Sequence, residues 1–539
     1  MKTSIKIGLL VLVGMFSACS DKETDNKIID ATKDIKFKVD FADYNAEQEF
    51  DVTRATGSNG KLNQQVVNLG NGILALCTLQ RDTTQQNKSI ATRVLPNDTY
   101  TMLAYDHTTH AFKGEMTGTI VGGAFAASGG KKSISLPPAT YDFVLFNSKV
   151  TRSGNQLSVT RSNIAGALIG RTTQTLTATP EYQSVSFTLK HVGAKVRMKI
   201  TGYRQFTNAK ATLSSSAVPG TIVYDATTGV QTAGSNAAMS ESLTFGSGTY
   251  NAGKYIGYSG QETSFIPGTN VASLILKFTG GSIYSQNMGN APAIGLHPVP
   301  AISLQQNGAY VLNVKLAYSF YYLMSDGSIG MLNQTIYGGG NKTPIGVVLS
   351  QSNSLAIALN DANNRHAYSY GWGGSVQFNT TMSTSFSDNL NDMRGHDYTW
   401  TSTYCTPACD WYTPRGNSMM SPGDPAFPAF YAAGQYTPRP GSTYWHLPSM
   451  GEWAYVYTAL GGGDLSALYD WGEYSWNGDL AYLAFDQVNG QRPAKQYWTS
   501  SEYNANSCIS VAVSDTRIKW DNSVNKGGFG LWVRPFINY

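Results

Sequence analysis

The hydrophobic pattern of the chain begins with an unbroken apolar run and continues as short alternating segments. The run from Ile7 to Phe16 follows Lys2 and Lys6. It is too short to span a bilayer, which takes about 20 residues, and so predicts a cleaved signal segment. Residues 35–41, Ile-Lys-Phe-Lys-Val-Asp-Phe, then alternate strictly between apolar and polar. This alternation predicts a β-strand with one apolar face, formed by Ile35, Phe37, Val39 and Phe41.

Short β-rich segments separated by turn signals fill the chain up to about residue 318. Pairs such as Asn71-Gly72 and Pro137-Pro138 separate the segments. The predicted strands comprise residues 100–105, 141–146, 185–189, 194–200, 221–224, 274–278 and 310–316. Strands at this spacing, without a long helical period, predict two successive β-sandwiches.

The C-terminal part follows a different pattern. Residues 343–349 predict a strand and residues 355–362 a short helix. Ser449 and Glu452 have the spacing of a capping box at the start of a clearer helix, which glycines 461–463 end. One face of that helix carries Trp453, Val456, Tyr457 and Leu460.

Composition separates the same two parts and sets the class of protein. All ten tryptophans lie at or after residue 372, which indicates a boundary between two architectures near Tyr318. Charged residues are only 14% of the chain, while glycine (55) and tyrosine (32) are abundant, as in an extracellular all-β protein. Without residues 1–18, 37 basic side chains face 35 acidic ones, so nothing indicates a nucleic-acid partner. The remaining length predicts two to four domains.

The end of the apolar run, Phe16-Ser17-Ala18-Cys19, resembles the lipobox of bacterial lipoproteins. The lipoprotein pattern usually has Leu where Phe16 stands. The resemblance implies that residues 1–18 are a signal peptide and that Cys19 carries acyl chains such as palmitate. The lipid would then be the only contact with the outer membrane. An ordinary signal peptide cleaved nearby is the alternative.

Several motifs up to residue 318 together resemble the fimbrillins, pilus subunits of anaerobic Gram-negative bacteria. They are the lipobox, the Ile-x-Phe-x-Val strand, Thr53-Arg54-Ala55, the Pro-Asn-Asp-Thr-Tyr strand at 96–100, and the run at 187–196. The resemblance implies a lipidated tether with a removable first strand (19–54). It also implies two transthyretin-like β-sandwiches, at 55–185 and 186–318.

In that family a trypsin-like surface protease cuts after an arginine, which corresponds here to the bond between Arg54 and Ala55. The cut removes the first strand and opens a groove, and a donor strand from the next subunit fills it. The partners implied are therefore other pilin subunits, joined by donor-strand exchange. The alternative is a permanent first strand, with Arg54 as an ordinary surface arginine.

Residues 320–539 resemble the C-type-lectin-like fold in the calcium-poor bacterial form that is also related to sulfatase-modifying enzymes. The Leu-Pro-x-x-x-Glu-Trp segment at 447–453 and the Trp-Thr-Ser-Ser segment at 498–501 are its most specific marks. The fold class expected for the whole chain is therefore mostly β, with two tandem sandwiches followed by an α+β lectin-like domain.

The residues of the C-terminal part favour binding over catalysis. The sulfatase-modifying relatives need a particular cysteine pair, and no cysteine here lies in a matching motif. A structural disulfide among Cys405, Cys409 and Cys508, or unpaired thiols, is the expectation. The order Trp520-Asp521-Asn522 is reversed relative to the calcium-dependent lectins, so neither a metal nor another cofactor is expected.

The segment from Cys405 to Gly441 is a candidate ligand-contact loop. It carries seven prolines together with Trp411, Tyr412, Phe427, Phe430, Tyr431 and Tyr436. Aromatic faces suit sugars or protein surfaces, and prolines reduce the entropy lost on binding. The alternative is a loop folded back on its own domain with most of these rings buried.

These features predict a non-enzymatic, adhesive pilus subunit at the cell surface. Because residues 531–539 complete a folded domain, the expected position is the fibre tip, where a subunit accepts a strand and donates none. Its ligand would be a host or bacterial glycan or protein. The alternatives are a permanently lipid-anchored surface binder with a β-sandwich stalk and, third, an enzyme of the sulfatase-modifying type.

Overall fold

A computed structural model shows that the chain is mostly β-structure, with 48% strand and 13% helix. It describes residues 28–44, 65–81, 95–129, 133–180, 182–297, 301–362, 369–371, 375–406, 414–417, 426–441, 444–528 and 530–539. Contacts divide the chain into unit 1 (Met1–Asp43, Ile90–Val192 and Ile222–Thr232) and unit 2 (Tyr44–Ser89, Gly193–Thr221 and Ala233–Tyr539). Among the described residues, no helix has the length and apolar character needed to cross a membrane.

The strands of the first half are β1 (Ile29–Asp30), β2 (Ile35–Ala42), β3 (Gln65–Gly70), β4 (Ile73–Arg81), β5 (Tyr100–Asp106), β6 (Phe112–Val121), β7 (Ala124–Ala127), β8 (Ser135–Leu136), β9 (Ala139–Asn147), β10 (Thr151–Ser153), β11 (Gln156–Thr160), β12 (Leu168–Leu176), β13 (Gln183–His191), β14 (Ala194–Gly202), β15 (Thr207–Pro219), β16 (Thr221–Asp225) and β17 (Gln231–Ala233).

The strands of the second half are β18 (Asn236–Thr244), β19 (Thr249–Asn251), β20 (Lys254–Tyr258), β21 (Thr263–Phe265), β22 (Ile275–Ile283), β23 (Gln286–Asn287), β24 (Ile294–Gly295), β25 (Ala309–Tyr318), β26 (Tyr321–Met324), β27 (Ile329–Met331), β28 (Pro344–Ser350), β29 (Leu355–Ala358), β30 (Gly472–Ser475), β31 (Gln496–Glu502), β32 (Ser507–Val513), β33 (Arg517–Asn525) and β34 (Phe536–Asn538).

The helices are short and lie mainly in the C-terminal part of unit 2. The α-helices are α1 (Phe386–Leu390), α2 (Gly395–Trp400), α3 (Pro428–Gly434), α4 (Met450–Tyr455) and α5 (Gly478–Asp486). A π-helical turn, Val456–Leu460, continues α4. Single 3₁₀ turns comprise Arg161–Asn163, Val271–Ser273, Leu332–Gln334, Ser402–Tyr404, Arg415–Asn417 and Leu465–Ala467.

Unit 1 is built on one closed sheet of seven strands, in the order β12-β13-β2-β7-β6-β5-β9. The sequence predicts a sandwich, but β12 pairs with both β13 and β9, so the sheet closes on itself. Strand β2 completes the closure, because it joins β13 on one side and β7 on the other. A four-stranded sheet, in the order β10-β11-β16-β17, accompanies it.

Unit 2 begins with two facing sheets that form a sandwich. One has the order β19-β20-β14-β25-β4-β3, with β21 also paired to β14, and the other has the order β18-β15-β22-β23, with β24 also paired to β22. Strand β4 pairs with β25 from Ile73↔Tyr318 to Arg81↔Tyr310. The segment 65–81 therefore belongs to unit 2, although the sequence prediction placed it in the N-terminal sandwich. A pairing this distant along the chain leaves no trace in the local pattern.

The C-terminal part of unit 2 contains a five-stranded sheet (β27-β26-β28-β29-β34), a four-stranded sheet (β30-β33-β32-β31) and the helices. The helix predicted at 355–362 is wrong, because Leu355–Ala358 is strand β29, paired with β28 and β34. All four of its side chains are buried, so the alternation that marks a half-exposed strand is missing.

The capping box predicted at the start of α4 is confirmed. The Glu452 amide donates to Ser449 Oγ at 3.3 Å, and the Ser449 amide donates to Glu452 Oε2 at 2.8 Å. The predicted apolar face, formed by Trp453, Val456, Tyr457 and Leu460, is buried. The helical segment ends at Gly461, as predicted.

One hydrophobic core runs through the sandwich and the C-terminal part of unit 2. Polar contacts cross the predicted seam near Tyr318. The Gln487 side chain accepts from the Tyr318 amide at 2.6 Å, and the Arg204 guanidinium donates to the Asp486 carboxylate at 2.7 Å. These two parts of the chain therefore pack as one compact unit.

Candidate strand-exchange site

Strand β2 places three of its four predicted apolar side chains in the core of unit 1. Ile35, Phe37 and Val39 are no more than 6% exposed, and Phe41 is half-buried. The intervening Lys36, Lys38 and Asp40 are exposed, as the alternation predicts. One face of this strand is therefore a continuous apolar plug.

Phe37 lies at the centre of this plug. Its ring contacts three other phenylalanines, with centroid distances of 6.3 Å to Phe125, 5.8 Å to Phe143 and 6.3 Å to Phe187. The first two contacts are edge-to-face, an arrangement that aromatic rings prefer. At the far end of the strand, Phe41 packs at 5.3 Å from the ring of His191.

Backbone pairing holds β2 unequally on its two sides. On one side it runs parallel to β13 through eight register pairs, from Ile35↔Gln183 to Ala42↔Lys190. On the other side the only register pair with β7 among the described residues is Lys38↔Ala124, and the Val39 amide donates to Gly123 O at 2.7 Å. The junction with β7 is therefore the weaker seam of the closed sheet.

A tight glycine turn forms that seam. Gly122 and Gly123 connect β6 to β7 with φ values of 56° and 75°, a backbone region that favours glycine. A side chain at either position would strain the turn that presents the Gly123 carbonyl to β2. The side of β2 that faces β7 is therefore bordered by residues that only the structure brings next to β2.

The structure adds a second, shorter strand that sequence reasoning missed. Strand β1 pairs with β8 through Ile29↔Leu136, and both Ile29 (2% exposed) and Ala31 (0%) are buried. The signal available in the sequence was the Ile28-Ile29 pair, which is too short to show a period. The segment before Tyr44 therefore fills two parts of the unit 1 core.

A carboxylate fixes the turn between these two strands. Asp30 Oδ1 accepts hydrogen bonds from the Thr32 amide at 3.0 Å, from the Thr32 hydroxyl at 2.7 Å, and from the Ser133 hydroxyl. These hydrogen bonds lower the pKa of Asp30 to about 2, and the bond from Ser133 has the largest effect. The ionised carboxylate thus ties the N-terminal segment to the neighbourhood of β8.

Several of the predicted site residues lie outside the described residues. They are Cys19, Arg54, Ala55, Cys409, Trp411 and Tyr412. Lipidation at Cys19 and cleavage after Arg54 stay predictions.

The described rings of the candidate contact loop are mostly buried. Phe427 and Phe430 are at most 1% exposed, and the guanidinium of Arg415 lies 5.0 and 4.8 Å from their centroids. Tyr431 and Tyr436 are half-buried, and Tyr436 packs 5.0 Å from the ring of Trp445. This arrangement fits the alternative in which the loop folds back on its own domain, so Phe427 and Phe430 offer no surface to a ligand.

Buried thiols in unit 2 are poorly suited to catalysis. Cys77 and Cys508 are thiols outside any disulfide, and burial raises the pKa of Cys77 to about 12 and that of Cys508 well above its ordinary value. Both therefore remain protonated at neutral pH, whereas the nucleophile in cysteine chemistry is the thiolate. Cys405 Sγ accepts from Arg415 Nε at 3.1 Å, and a bond between Cys405 and Cys409 stays a prediction.

The C-terminal strand is integrated into its own domain. Strand β34 pairs with β29 through three register pairs, Phe536 is fully buried, and the Tyr539 amide donates to Ser354 O at 2.9 Å. In addition, His446 and Phe536 exchange backbone hydrogen bonds of 2.8 and 3.0 Å. Strand β34 is therefore engaged within unit 2.

Comparison with known proteins finds distant likenesses among solved structures. One is a candidate cell adhesion protein from Bacteroides ovatus, at 12% identity and a TM-score of 0.30, covering 53% of this chain and 92% of that one. A second, from Bacteroides uniformis, has 15% identity and a TM-score of 0.29 over 41% of this chain and 87% of that one. A fimbrial protein from Bacteroides ovatus has 13% identity and a TM-score of 0.23 over 83% of this chain and 95% of that one.

No protein-family model matches the chain. No curated protein sequence matches it either. At TM-scores this low, the structural likenesses carry no argument about function, which has to rest on the residues of this chain.

Proposed function

We propose that this chain is an adhesive subunit of a surface fibre, in which a strand from a neighbouring subunit replaces β1 and β2. The observation that carries the proposal is the position of β2. It is a plug of apolar side chains near the N-terminus, it completes a closed sheet, and Arg54, the predicted cleavage site, follows it in the sequence.

The loss of this plug would be too costly for unit 1 to tolerate without a replacement. Burial of one large aliphatic or aromatic side chain contributes about 1.5–3 kcal/mol. The four buried side chains Ile29, Ile35, Phe37 and Val39 together contribute about 6–12 kcal/mol on that scale. A whole domain is stable by only about 5–15 kcal/mol. Cleavage after Arg54 followed by release would therefore leave a unit that gains strongly from a new strand.

The groove left behind would specify the incoming strand. Removal of β2 exposes the edge of β13 along eight positions and the Gly123 carbonyl next to β7. An entering strand restores these backbone hydrogen bonds by β-augmentation, and its apolar side chains at alternate positions refill the core. A donor would therefore carry four alternating apolar residues, as residues 35–41 do.

The proposed position is the fibre tip, where the subunit accepts a strand and donates none. The engagement of β34 supports this position, because a strand paired with β29 inside its own sheet is not available to a neighbour. The C-terminal part of unit 2 would then face outward as the adhesive element. Anchoring through acylated Cys19 before cleavage, and location at the cell surface, belong to the same proposal.

The test is uptake of a labelled strand. A recognition site for a specific protease replaces residues 53–56, and the chain is offered a fluorescent peptide comprising residues 28–44 before and after cutting. We expect a rise in fluorescence anisotropy only after cutting, because only then can the resident segment leave. A peptide with Phe37→Asp and Val39→Asp should not bind, whereas one with Lys38→Ala, changed on the exposed face, should bind normally.

Two results would contradict strand replacement. One is a cut chain that retains its own segment indefinitely and takes up no peptide. The other is equal uptake of the peptide with two aspartates.

A permanently lipid-anchored surface binder is the second candidate, favoured by the continuous pairing of β2 along β13. N-terminal analysis of the protein isolated from the cell surface separates the two candidates. A start at Ala55 supports the fibre subunit, and an acylated Cys19 supports the permanent anchor.

A further inference from the structure

A cluster of aromatic side chains lies at the surface of unit 2, formed by the turn that leads into β30, by β30 itself and by the residue that follows β31. We call Tyr469, Trp471, Tyr474 and Tyr503 the aromatic platform. The ring centroids of Tyr469 and Tyr474 are 6.0 Å apart at 87°, and those of Trp471 and Tyr503 are 5.5 Å apart at 86°. Trp471 also packs edge-to-face on buried Phe386 at 5.1 Å. The platform is thus anchored to the core at one end.

Hydrogen bonds hold the backbone of this turn in one conformation. The Tyr474 hydroxyl accepts from the Tyr469 and Asp470 amides at 3.3 and 2.9 Å and donates to the Asp470 carbonyl at 2.5 Å. The Asp470 carboxylate also accepts from the Trp471 amide at 2.7 Å. Gly472, with φ of 146°, makes the bend into β30 that a side chain would strain. The backbone that carries Tyr469 and Trp471 is therefore ordered before any ligand arrives.

Tyr469 projects from this rigid turn into solvent. Its side chain is 82% exposed, more than any other large hydrophobic residue among those described. Tyr474 and Trp471 are half-buried beside it. A tyrosine ring with this exposure, in contact with Tyr474 alone among the rings of the platform, adds little to the packing of the domain, but it offers an open face to a ligand.

The charge around the platform is acidic. Residues 464–475 contain Asp464, Asp470 and Glu473 and no lysine or arginine. Across the sheet, Lys519 lies opposite Glu473 and pairs with Asp521 at 3.1 Å, and exposed Arg517 lies opposite Ser475. Because side chains alternate along a strand, Glu473, Lys519 and Arg517 lie on the other face of β30 from Tyr474. Carboxylates accept hydrogen bonds from hydroxyl groups and repel anions. The surroundings therefore favour a neutral, hydroxyl-rich ligand over an acidic one.

We infer that the aromatic platform is a binding site for neutral carbohydrate, with Tyr469 as the stacking ring. A pyranose presents a face of C–H groups that packs on an aromatic ring, while its hydroxyls at the rim can donate to the Asp470 carboxylate. This inference rests on the adhesive role proposed above and names its ligand class and contact residues. The contact residues of the aromatic platform are not among the aromatic residues of the 405–441 loop.

The same geometry disfavours a protein partner. Protein interfaces that persist bury about 800 Å² on each side and have a contiguous apolar centre. Here one ring projects alone from a turn bordered by carboxylates. A sugar ring matches this small surface, since it needs one aromatic face and a few hydrogen-bond acceptors.

Calorimetric titration of the full-length chain tests the site. The probes are neutral hexasaccharides of glucose, mannose and galactose, together with lacto-N-tetraose and its sialylated counterpart. We expect at least one neutral probe to bind and the sialylated form to bind more weakly than lacto-N-tetraose. Tyr469→Ala should weaken binding at least tenfold, whereas Tyr469→Phe, which keeps the ring, should stay within about threefold.

Tyr250→Ala is the matched control. Tyr250 is also exposed (64%) and packs edge-to-face on another tyrosine, Tyr255, at 5.3 Å, but it belongs to the sandwich sheet. The Tyr250→Ala chain should bind the neutral probes as the unchanged chain does. Absence of binding to every neutral probe, unchanged affinity in Tyr469→Ala, or tighter binding of the sialylated probe would each overturn the inference. Uptake of the 28–44 peptide by the same variants reports separately on strand exchange, so the two proposals fail independently.

Discussion

Replacement of Phe37 by alanine tests the packing argument for β2 most directly. The Phe37 side chain is 3% exposed and contacts Phe125, Phe143 and Phe187. Truncation removes all three ring contacts and leaves a cavity at the centre of the unit 1 core. The exposed Lys38, the next residue of the same strand, provides the matched control as Lys38→Ala.

The expected loss is a large share of the stability of unit 1. Phe→Ala substitutions in packed cores cost about 3–5 kcal/mol. A domain is stable by about 5–15 kcal/mol, and urea lowers this by about 1–3 kcal/mol per molar. The urea midpoint of unit 1 should therefore fall by about 1 M or more. Lys38→Ala should change the free energy of unfolding by no more than about 0.5 kcal/mol.

The distribution of tryptophan allows the two units to be followed separately. All ten tryptophans lie between residues 372 and 532, in unit 2, so tryptophan fluorescence reports on that unit alone. Far-ultraviolet circular dichroism reports on the strands of both units. We expect Phe37→Ala to move an early dichroism transition and to leave the fluorescence transition in place.

The Phe37→Ala substitution should also allow the N-terminal segment with β1 and β2 to dissociate from unit 1 more easily. We expect the Phe37→Ala chain, cut at the engineered site, to take up the 28–44 peptide faster than the unchanged chain. The reasoning is refuted if Phe37→Ala unfolds like Lys38→Ala, or if the fluorescence transition moves instead of the early dichroism transition.

Three further predictions concern polar groups. The folded pKa of Asp30, about 2, lies below its unfolded value. The stability that Asp30 contributes to unit 1 is therefore complete above about pH 4 and is lost as the pH falls towards 2. Ser133→Ala should reduce this loss of stability in an acid titration followed by dichroism. Ser449→Ala removes the cap of α4 and should destabilise unit 2 by about 0.5–2 kcal/mol in urea unfolding followed by tryptophan fluorescence. The side chain of Glu502 is 0% exposed and lies 2.6 Å from Lys526, so Lys526→Met leaves a buried carboxylate without its cation. We expect this substitution to lower the free energy of unfolding of unit 2 by about 3–5 kcal/mol in the same fluorescence measurement. Adding Glu502→Gln to Lys526→Met should recover part of that stability. The surface pair of Lys519 with Asp521 provides the control, because Lys519→Met should cost at most about 1 kcal/mol.

Much of the local structure follows from the sequence. The alternation at residues 35–41 predicts strand β2 and its buried face, and the spacing of Ser449 and Glu452 predicts the start of α4. Both features depend on neighbours within a few residues, through the period of the strand and the unpaired amides of the first helical turn. The strand that forms the candidate site is therefore recognisable from its own residues.

Predictions that need distant partners are less successful. The segment 355–358 lacks alternation because β28 and β34 flank it and both its faces are buried, so its apolar run predicts a helix where a strand forms. Strand β1 escapes prediction because two residues show no period. The rings of Phe427 and Phe430 suit a ligand or a core equally well on sequence grounds, because an apolar side chain does not indicate what covers it.

The sequence by itself determined that residues 35–41 form a strand with one apolar face. Only the tertiary structure decided that β13, some 150 residues away, pairs with it, and that Gly123 closes the opposite side. The tertiary structure also decided that Tyr469 stands in solvent while Phe427 lies in the core. The physical reason is the same in each case. Side-chain period depends on neighbouring residues, whereas burial and strand partners depend on segments that meet only when the chain folds.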